Sequence, residues 1–195
     1  MLKFFYAVMT AGKTTHLIQA HDIYSRKGFN PIILKKDTDT REPHDPDGWG
    51  MISSRFYPQK KVAAFYFKDL KKDIVPFLKS RDLFFVDEAQ FLTKDEVKLL
   101  KSLSHMGSVD VITYGLKTSI TGELFEGSAA LLSHADEIKE IPCLCQEKGC
   151  MEKANYHARF INGVRDLDNS PVKIEQGDVT YKALCYKHYI EHNIK

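Results

Sequence analysis

An α/β fold with a central, mainly parallel sheet is predicted for this chain, followed by a smaller cysteine-bearing unit. Three observations predict it. Short, continuously apolar runs alternate with segments of helical period, the pattern of strands buried on both faces and covered by helices. The stretch "AVMTAGKTT", residues 7–15, joins the first apolar run to the first helical segment. Near residue 142 the character changes, and all four cysteines (Cys143, Cys145, Cys150 and Cys185) lie beyond it.

Each element has its own signal. Residues 3–8 read as a buried strand. Over 13–27, Leu17, Ala20 and Tyr24 recur at helical spacing, and Gly28 offers a stop. "PIIL", residues 31–34, is a second buried strand. Residues 38–60 are polar, with Asp-Pro and Pro-Asp pairs plus Gly48 and Gly50, and read as a loop. "KVAAFYF" is a strand and residues 69–79 a helix. "DLFFVDEAQFL" is an apolar strand that ends in acids. In "TKDEVKLLKSL", Thr93 and Glu96 stand at capping-box spacing, with Val97, Leu100 and Leu103 on one face. "VDVITYG" is a further strand. The stretch 143–188 has cysteines toward both ends and a turn-rich middle, "INGVRDLDNSPVKIEQGDVTY". So long a loop is unusual in a compact domain unless its ends are clamped, so a domain boundary is placed at about Pro142.

Composition narrows the function classes. With 195 residues, 43% of them hydrophobic, the chain can build a real core. A net charge of +2 argues against a polyelectrolyte-driven nucleic-acid or membrane binder. No apolar stretch approaches the roughly 20 residues that a membrane span needs. "MLKFFYAVMTAGK" reads as a first core strand rather than a signal peptide, and a cytoplasmic location is expected. Three cysteines crowd into residues 143–150 and the fourth stands in "CYKH". That clustering points to a metal rather than to a disulfide framework.

The loop at 7–15 carries the second half of the G-x-x-x-x-G-K-[ST] phosphate-loop pattern in Gly12, Lys13 and Thr14, with Ala7 in place of the first glycine. The strict pattern fails, yet the loop lies between a strand and a helix. Backbone N–H groups of residues 9–14 and the positive end of the helix can face a phosphate. Lys13 would reach the β- and γ-phosphates, and the Thr14 hydroxyl would hold Mg²⁺. Alanine is tolerable at position 7 if its φ is negative. Asp87 and Glu88 end an apolar strand, at the edge where α/β sheets bind ligands. Asp87 suits the Mg²⁺ shell. Glu88 suits the proton of a hydroxyl acceptor. The plainer alternatives are an ordinary strand–turn–helix and two solvated acids.

"MTAGKTTHL", "FFVDEAQFL", "YGLKTSITGELFEGS", "AD", a cysteine pair before "ANYHAR", and "YKALCYKHY" occur in that order. This ordered set, from about residue 3 to residue 189, resembles the type II thymidine kinases. The resemblance implies a RecA-like P-loop domain, residues 1–142, and a zinc-containing lasso domain, residues 143–195, that covers the nucleoside. It implies transfer of the γ-phosphate of ATP to the 5′-hydroxyl of thymidine, with deoxyuridine as a secondary acceptor, in pyrimidine salvage for DNA synthesis. Glu88 is then the general base. Met9, Thr10, Ala11, Gly12, Lys13, Thr14, Thr15 and Arg41 bind phosphate. Thr14, Asp39 and Asp87 are associated with Mg²⁺. Met9, Phe91, Leu116, Ile120, Phe125, His157, Arg159, Ile174, Gly177 and Tyr181 fall on nucleoside-pocket positions, with "VKIEQGD" as the lasso. A structural Zn²⁺ is implied on Cys145, Cys150, Cys185 and His188, the first pair separated by four residues; Cys143 is a second choice for the first ligand. Family members are commonly homotetramers inhibited by thymidine triphosphate. The sequence departs from the family at Ala7, at Lys117 (often an acid), at Ile120 (often aromatic) and at His157 (often threonine). Three rival readings are a kinase with another acceptor, a nucleic-acid-stimulated ATPase with a zinc knuckle, and a non-catalytic nucleotide sensor, which Lys13, Thr14, Asp87 and Glu88 argue against.

Overall fold

The computed structural model describes residues 1–37, 43–107, 109–168 and 178–194. In chain order the elements are β1 (Leu2–Ala7), α1 (Lys13–Arg26), β2 (Pro31–Lys36), β3 (Trp49–Ser54), β4 (Tyr57–Phe67), α2 (Leu70–Asp73), β5 (Leu83–Asp87), α3 (Lys94–Met106), β6 (Asp110–Leu116), α4 (Glu126–His134), β7 (Glu137–Glu140), β8 (Tyr156–Ile161), β9 (Val164–Asp166), β10 (Val179–Leu184) and α5 (Tyr186–Ile194). Seven strands form one sheet in the order β3–β4–β2–β5–β6–β1–β7, and three form a second in the order β10–β8–β9. Every pairing in the large sheet is parallel except β3 with β4.

The apolar strand runs are continuous because both faces of the sheet are covered. Phe4, Ile32, Leu34, Phe84 and Val86 pack with Val97 and Leu100 of α3 and with Ala130 and Leu131 of α4. Their strand neighbours Ile33, Phe85 and Ile112 pack with Leu17 and Ile18 of α1 on the other face. Strand alternation thus feeds two apolar layers. The capping box on α3 is present in both directions: Glu96 N–H donates to Thr93 Oγ1, and Thr93 N–H donates to the Glu96 carboxylate.

Three expectations differ from the structure. Within the predicted loop at 38–60, β3 and the start of β4 form an antiparallel hairpin at the sheet edge. Gly50, read as a loop glycine, is a strand residue. A Cβ there would come within 2.8 Å of the Tyr66 ring and 2.9 Å of the Pro43 carbonyl, so its role is close packing. The hairpin is anchored by aromatics: the Trp49, Phe65 and Phe77 rings pack edge to face, with Phe65 and Phe77 centroids 4.9 Å apart. The predicted helix at 69–79 is instead the single turn α2 followed by a 3-10 turn at Val75–Phe77. Pro76 lacks the N–H that a continuing helix needs. Finally, α4, β7 and the second sheet arise where no element was predicted. In α4, Gly127 lies against the carbonyls of Ala89 and Leu92, 2.6 Å from where a Cβ would be. Tertiary contact rather than propensity selects glycine there.

Candidate active site

The first apolar strand delivers the phosphate loop. Ala7 ends β1, 3% exposed and paired with Leu116 of β6, and it is not among the positive-φ residues. A methyl is therefore accommodated where the strict motif has glycine. The turn itself uses two left-handed residues, Thr10 at φ 64° and Gly12 at φ 81°. Gly12 is the N-cap of α1, so the first helical N–H groups have no side-chain cap. They remain open to an anion, with the helix dipole behind them. Lys13 is buried at the first turn, and Thr14 follows it half-buried. Thr15 hydrogen-bonds instead to Ser54 of the hairpin.

Across β6 lies β5, whose C-terminal tip carries the acids. Asp87 is 2% exposed, and its Oδ1 has no hydrogen-bond partner. Burial raises its pKa first, and the neighbouring Glu88 charge adds to this; Lys35 and Lys13 pull the other way. A buried, orphaned carboxylate oxygen beside Lys13 and Thr14 fits the coordination shell of a hard cation. Glu88 has a left-handed backbone, φ 51°, a conformation that non-glycine residues hold only when their surroundings enforce it. Its carboxylate Oε2 accepts from Gln90 Nε2 at 2.6 Å, while Gln90 Oε1 accepts from the Leu116 N–H at 3.0 Å. Gln90 therefore ties the acid to the end of β6.

Lys13, Thr14, Asp87 and Glu88 open into one cleft of about 410 Å³, which Met9, Thr10 and Gly12 also line. Further residues in and around the cleft were not foreseen from the sequence, four of them with a clear part in it: Lys35, Arg55, Phe56 and Gln90. Lys35, 3% exposed, stands in register with Asp87 across β2 and β5. Arg55 and Phe56 reach the cleft from the hairpin tip, and the Phe56 ring lies 3.6 Å from the Cβ position at Gly12. Gln90 is the fourth in this environment, acting on Glu88 rather than lining the cleft. The sequence signal for Lys35 was a lysine ending an apolar run, but only sheet register places it opposite Asp87. Ala11 borders an adjoining cavity of about 380 Å³ with Thr15, Phe56 and Tyr57.

The residues expected around a nucleoside come from several elements. Phe91 and Phe125 meet edge to face at 6.1 Å. Leu116, 6% exposed, ends β6, and Ile120 lies in the loop that follows. His157, Arg159 and Tyr181 share one face of the second sheet, since Tyr181 pairs with Arg159 and Ala183 with His157. That face looks toward the phosphate loop, because Ala183 packs with Val8 and Ala11. His157 is 2% exposed and its Nδ1 has no hydrogen-bond partner. Burial, with the Lys13 and Arg165 charges, pushes its pKa down to about 3, so it is neutral. Arg159 is 4% exposed and binds the Asp166 carboxylate through Nε at 2.7 Å, as well as the Asp168 carbonyl. Asp39, Arg41, Ile174 and Gly177 lie outside the described residues. Asp136, of the "AD" pair, is far from this chemistry. It accepts from the Leu2 N–H at 2.8 Å and from Lys101, which hold its pKa down at about 2.

The second sheet has a metal-type cluster at one end. The thiols of Cys145, Cys150 and Cys185 and a His188 nitrogen all lie within 4.8 Å of one another. His188 Nδ1 is 3.3 Å from Cys145 Sγ and 3.2 Å from Cys185 Sγ, and Cys150 Sγ is 4.0 Å from Cys185 Sγ. A tetrahedral zinc with bonds near 2.3 Å sets sulfurs about 3.8 Å apart, so this donor set could hold zinc. Cys143 is not in the cluster; it packs with Val8, Ala154 and Ala183.

A phosphate loop and an acid pair in one cleft, with a three-cysteine, one-histidine cluster alongside, is a specific combination. The sequence model of a family described as Thymidine kinase matches residues 1–189. The chain belongs to the thymidine kinase family. Among its relatives, the thymidine kinase of Aliivibrio fischeri is 35% identical over 192 residues, covering 96% of this chain and 95% of that protein. The thymidine kinase of Vibrio vulnificus is 34% identical over 194 residues, covering 96% and 95%. That of Zymomonas mobilis is 33% identical over 193 residues, covering 97% and 96%. As a thymidine kinase family enzyme the chain is a nucleotide-binding transferase, and membership implies ATP and thymidine as substrates. Among the described residues no helix is long and apolar enough to cross a membrane.

Proposed function

We propose that this enzyme transfers the γ-phosphate of ATP to the 5′-hydroxyl of thymidine, accepts deoxyuridine as a second substrate, and serves pyrimidine salvage for DNA synthesis. The observation that carries the reading is Glu88, held left-handed at the tip of β5 and clamped by Gln90, in the same cleft as Lys13. Glu88 takes the proton of the 5′-hydroxyl as that oxygen bonds to the γ-phosphorus, while the bond from the γ-phosphorus to the β–γ bridging oxygen breaks and ADP leaves. Lys13 and the N–H groups of the phosphate loop, residues 9–15, hold the phosphates, and Arg41 adds positive charge. Thr14, Asp87 and Asp39 would hold Mg²⁺, which when bound with ATP neutralises charge on the transferring group. The orphaned Asp87 oxygen supports that assignment.

In this reading Met9, Phe91, Leu116, Ile120, Phe125, His157, Arg159 and Tyr181 surround the nucleoside, with Ile174 and Gly177 in the lasso. Residues 1–142 form the kinase domain and 143–195 the lasso domain, stapled by zinc on Cys145, Cys150, Cys185 and His188. The compactness of that donor set supports the zinc. The family resemblance supports a cytoplasmic homotetramer inhibited by thymidine triphosphate.

Phosphoryl transfer from labelled ATP to a panel of nucleosides, with and without Mg²⁺, tests the function. Mg²⁺-dependent transfer to thymidine and deoxyuridine but not to purine nucleosides or monophosphates is expected. ATP binding without transfer to any nucleoside would overturn the acceptor assignment.

A further inference from the structure

The loop 117–125 leaves β6 at Leu116 and enters α4 at Glu126. Both of its ends touch the turn that carries Glu88: the Leu116 N–H is held by Gln90, and Phe125 packs on Phe91. The loop therefore borders the general base on the acceptor side. It is closed on itself, with Thr118 bridged to Leu124 and the Ser119 N–H donating to the Glu123 carbonyl at 2.7 Å. The Ile120 carbonyl faces the second sheet.

Two donors from that module converge on this one carbonyl. Arg165 of β9 donates through Nη2 at 3.0 Å, and Tyr189 of α5 donates through Oη at 2.8 Å. A carbonyl oxygen has two lone pairs, and both are used. Each donor is itself braced. Arg165 also donates to the Arg159 carbonyl and to Asn193 Oδ1, and its guanidinium lies 5.7 Å from the centre of the Tyr189 ring. The Tyr189 ring stacks on Tyr156 at 4.6 Å, and its N–H donates to the Cys185 carbonyl. Tyr189 thus follows the metal-type cluster directly.

We propose that Arg165 and Tyr189 are positioning residues for the acceptor site: together they pin the Ile120 carbonyl and so set the loop 117–125 beside Glu88. The proposal rests on the reading of the cleft as a thymidine kinase site. It makes the cysteine–histidine module a brace for the acceptor wall as well as a cover for the nucleoside. Misplacing reacting groups by about 1 Å can cost about 100-fold in rate, so a braced wall has a use that packing alone does not.

Tyr189→Phe removes one hydroxyl and keeps the stacked ring. Arg165→Met removes the charged donor, and Arg165→Lys restores part of it. Tyr189→Phe and Arg165→Met are expected to raise the KM for thymidine by roughly 5- to 20-fold, the scale of one hydrogen bond with a charged or buried partner. The KM for ATP and the zinc content should stay unchanged, and Arg165→Lys should recover part of the loss. Amide hydrogen exchange in 117–125 should quicken in both, with residues 145–150 unaffected. Unchanged thymidine KM and unchanged exchange in folded, zinc-loaded Tyr189→Phe and Arg165→Met would overturn the proposal. Should the parent enzyme not phosphorylate thymidine, the acceptor reading fails, and the exchange comparison alone still decides whether the two residues pin the loop.

Discussion

Glu88 combines three features that no neighbouring acid shares. It directly follows the buried strand that Asp87 ends, its φ is 51°, and a buried glutamine holds its carboxylate. The first is readable in "FFVDEAQFL"; the other two exist only in the folded chain. Glu88→Gln keeps the shape and removes the proposed base, so kcat should fall about 10²- to 10⁴-fold with little change in the KM for ATP. Steady-state kinetics with saturating thymidine checks this, and an unchanged kcat would remove Glu88 from the role. His157 is a second residue whose behaviour depends on burial. Its pKa lies near 3 in the fold, against an ordinary 6.5. Above pH 6.5 neither the folded nor the unfolded chain protonates it, and it does not oppose folding. As pH falls from 6.5 toward 3 the unfolded chain takes a proton that the folded chain refuses, so stability drops by about 1.4 kcal/mol per pH unit. Urea unfolding at pH 7 and pH 5.5 should show this loss, and His157→Thr should reduce it by about that amount.

At the scale of elements, local signals were sufficient where they agreed with one another. The reach of α3 was legible because its cap, its acidic first turn and its apolar face all agree. Thr93→Ala should cost about 1 kcal/mol through loss of the cap, measurable as a lower urea midpoint with unchanged slope. The edge hairpin was not legible. Its exposed residues mix apolar Trp49, Met51 and Tyr57 with Gln59, Lys60 and Lys61, and its Gly50 imitates a loop, so strand pairing and aromatic anchoring decided what periodicity could not. The second sheet hid for a related reason. In β8, Ala158 and Phe160 face the cluster with Leu184 and Tyr189, while His157 and Arg159 face the phosphate loop. His157–Phe160 does alternate polar with apolar residues, but the run is short, stands in a turn-rich stretch, and buries its polar side chains as well.

For the whole molecule, the second sheet packs onto the phosphate-loop segment where Ala183 meets Val8 and Ala11, and the cysteine–histidine cluster lies at one end of that sheet. Cys185 and His188 bracket the start of α5, and Cys145 and Cys150 flank the knuckle that hydrogen-bonds to Ala183 of β10 through Gln146. Cys185→Ser is therefore expected to lose zinc, lower the thermal midpoint and open the second sheet to hydrogen exchange, while the large sheet keeps its protection. A zinc-free variant with full activity and unaltered exchange would sink the structural-metal role. Chelation of the parent enzyme should act in the same direction, since metal binding free energy of this kind is folding free energy.

By itself the sequence determined the parallel sheet, the phosphate loop with its missing glycine, the acidic strand end and the four cysteines, because each is set by residues close together in the chain and by local periodicity or spacing. Setting Lys35 against Asp87, turning Gln90 onto Glu88 and bringing Arg165 and Tyr189 to one carbonyl were decided by tertiary structure alone. Each depends on sheet register or on contacts between distant segments, and the free energy that selects them belongs to the packed whole, not to any local stretch.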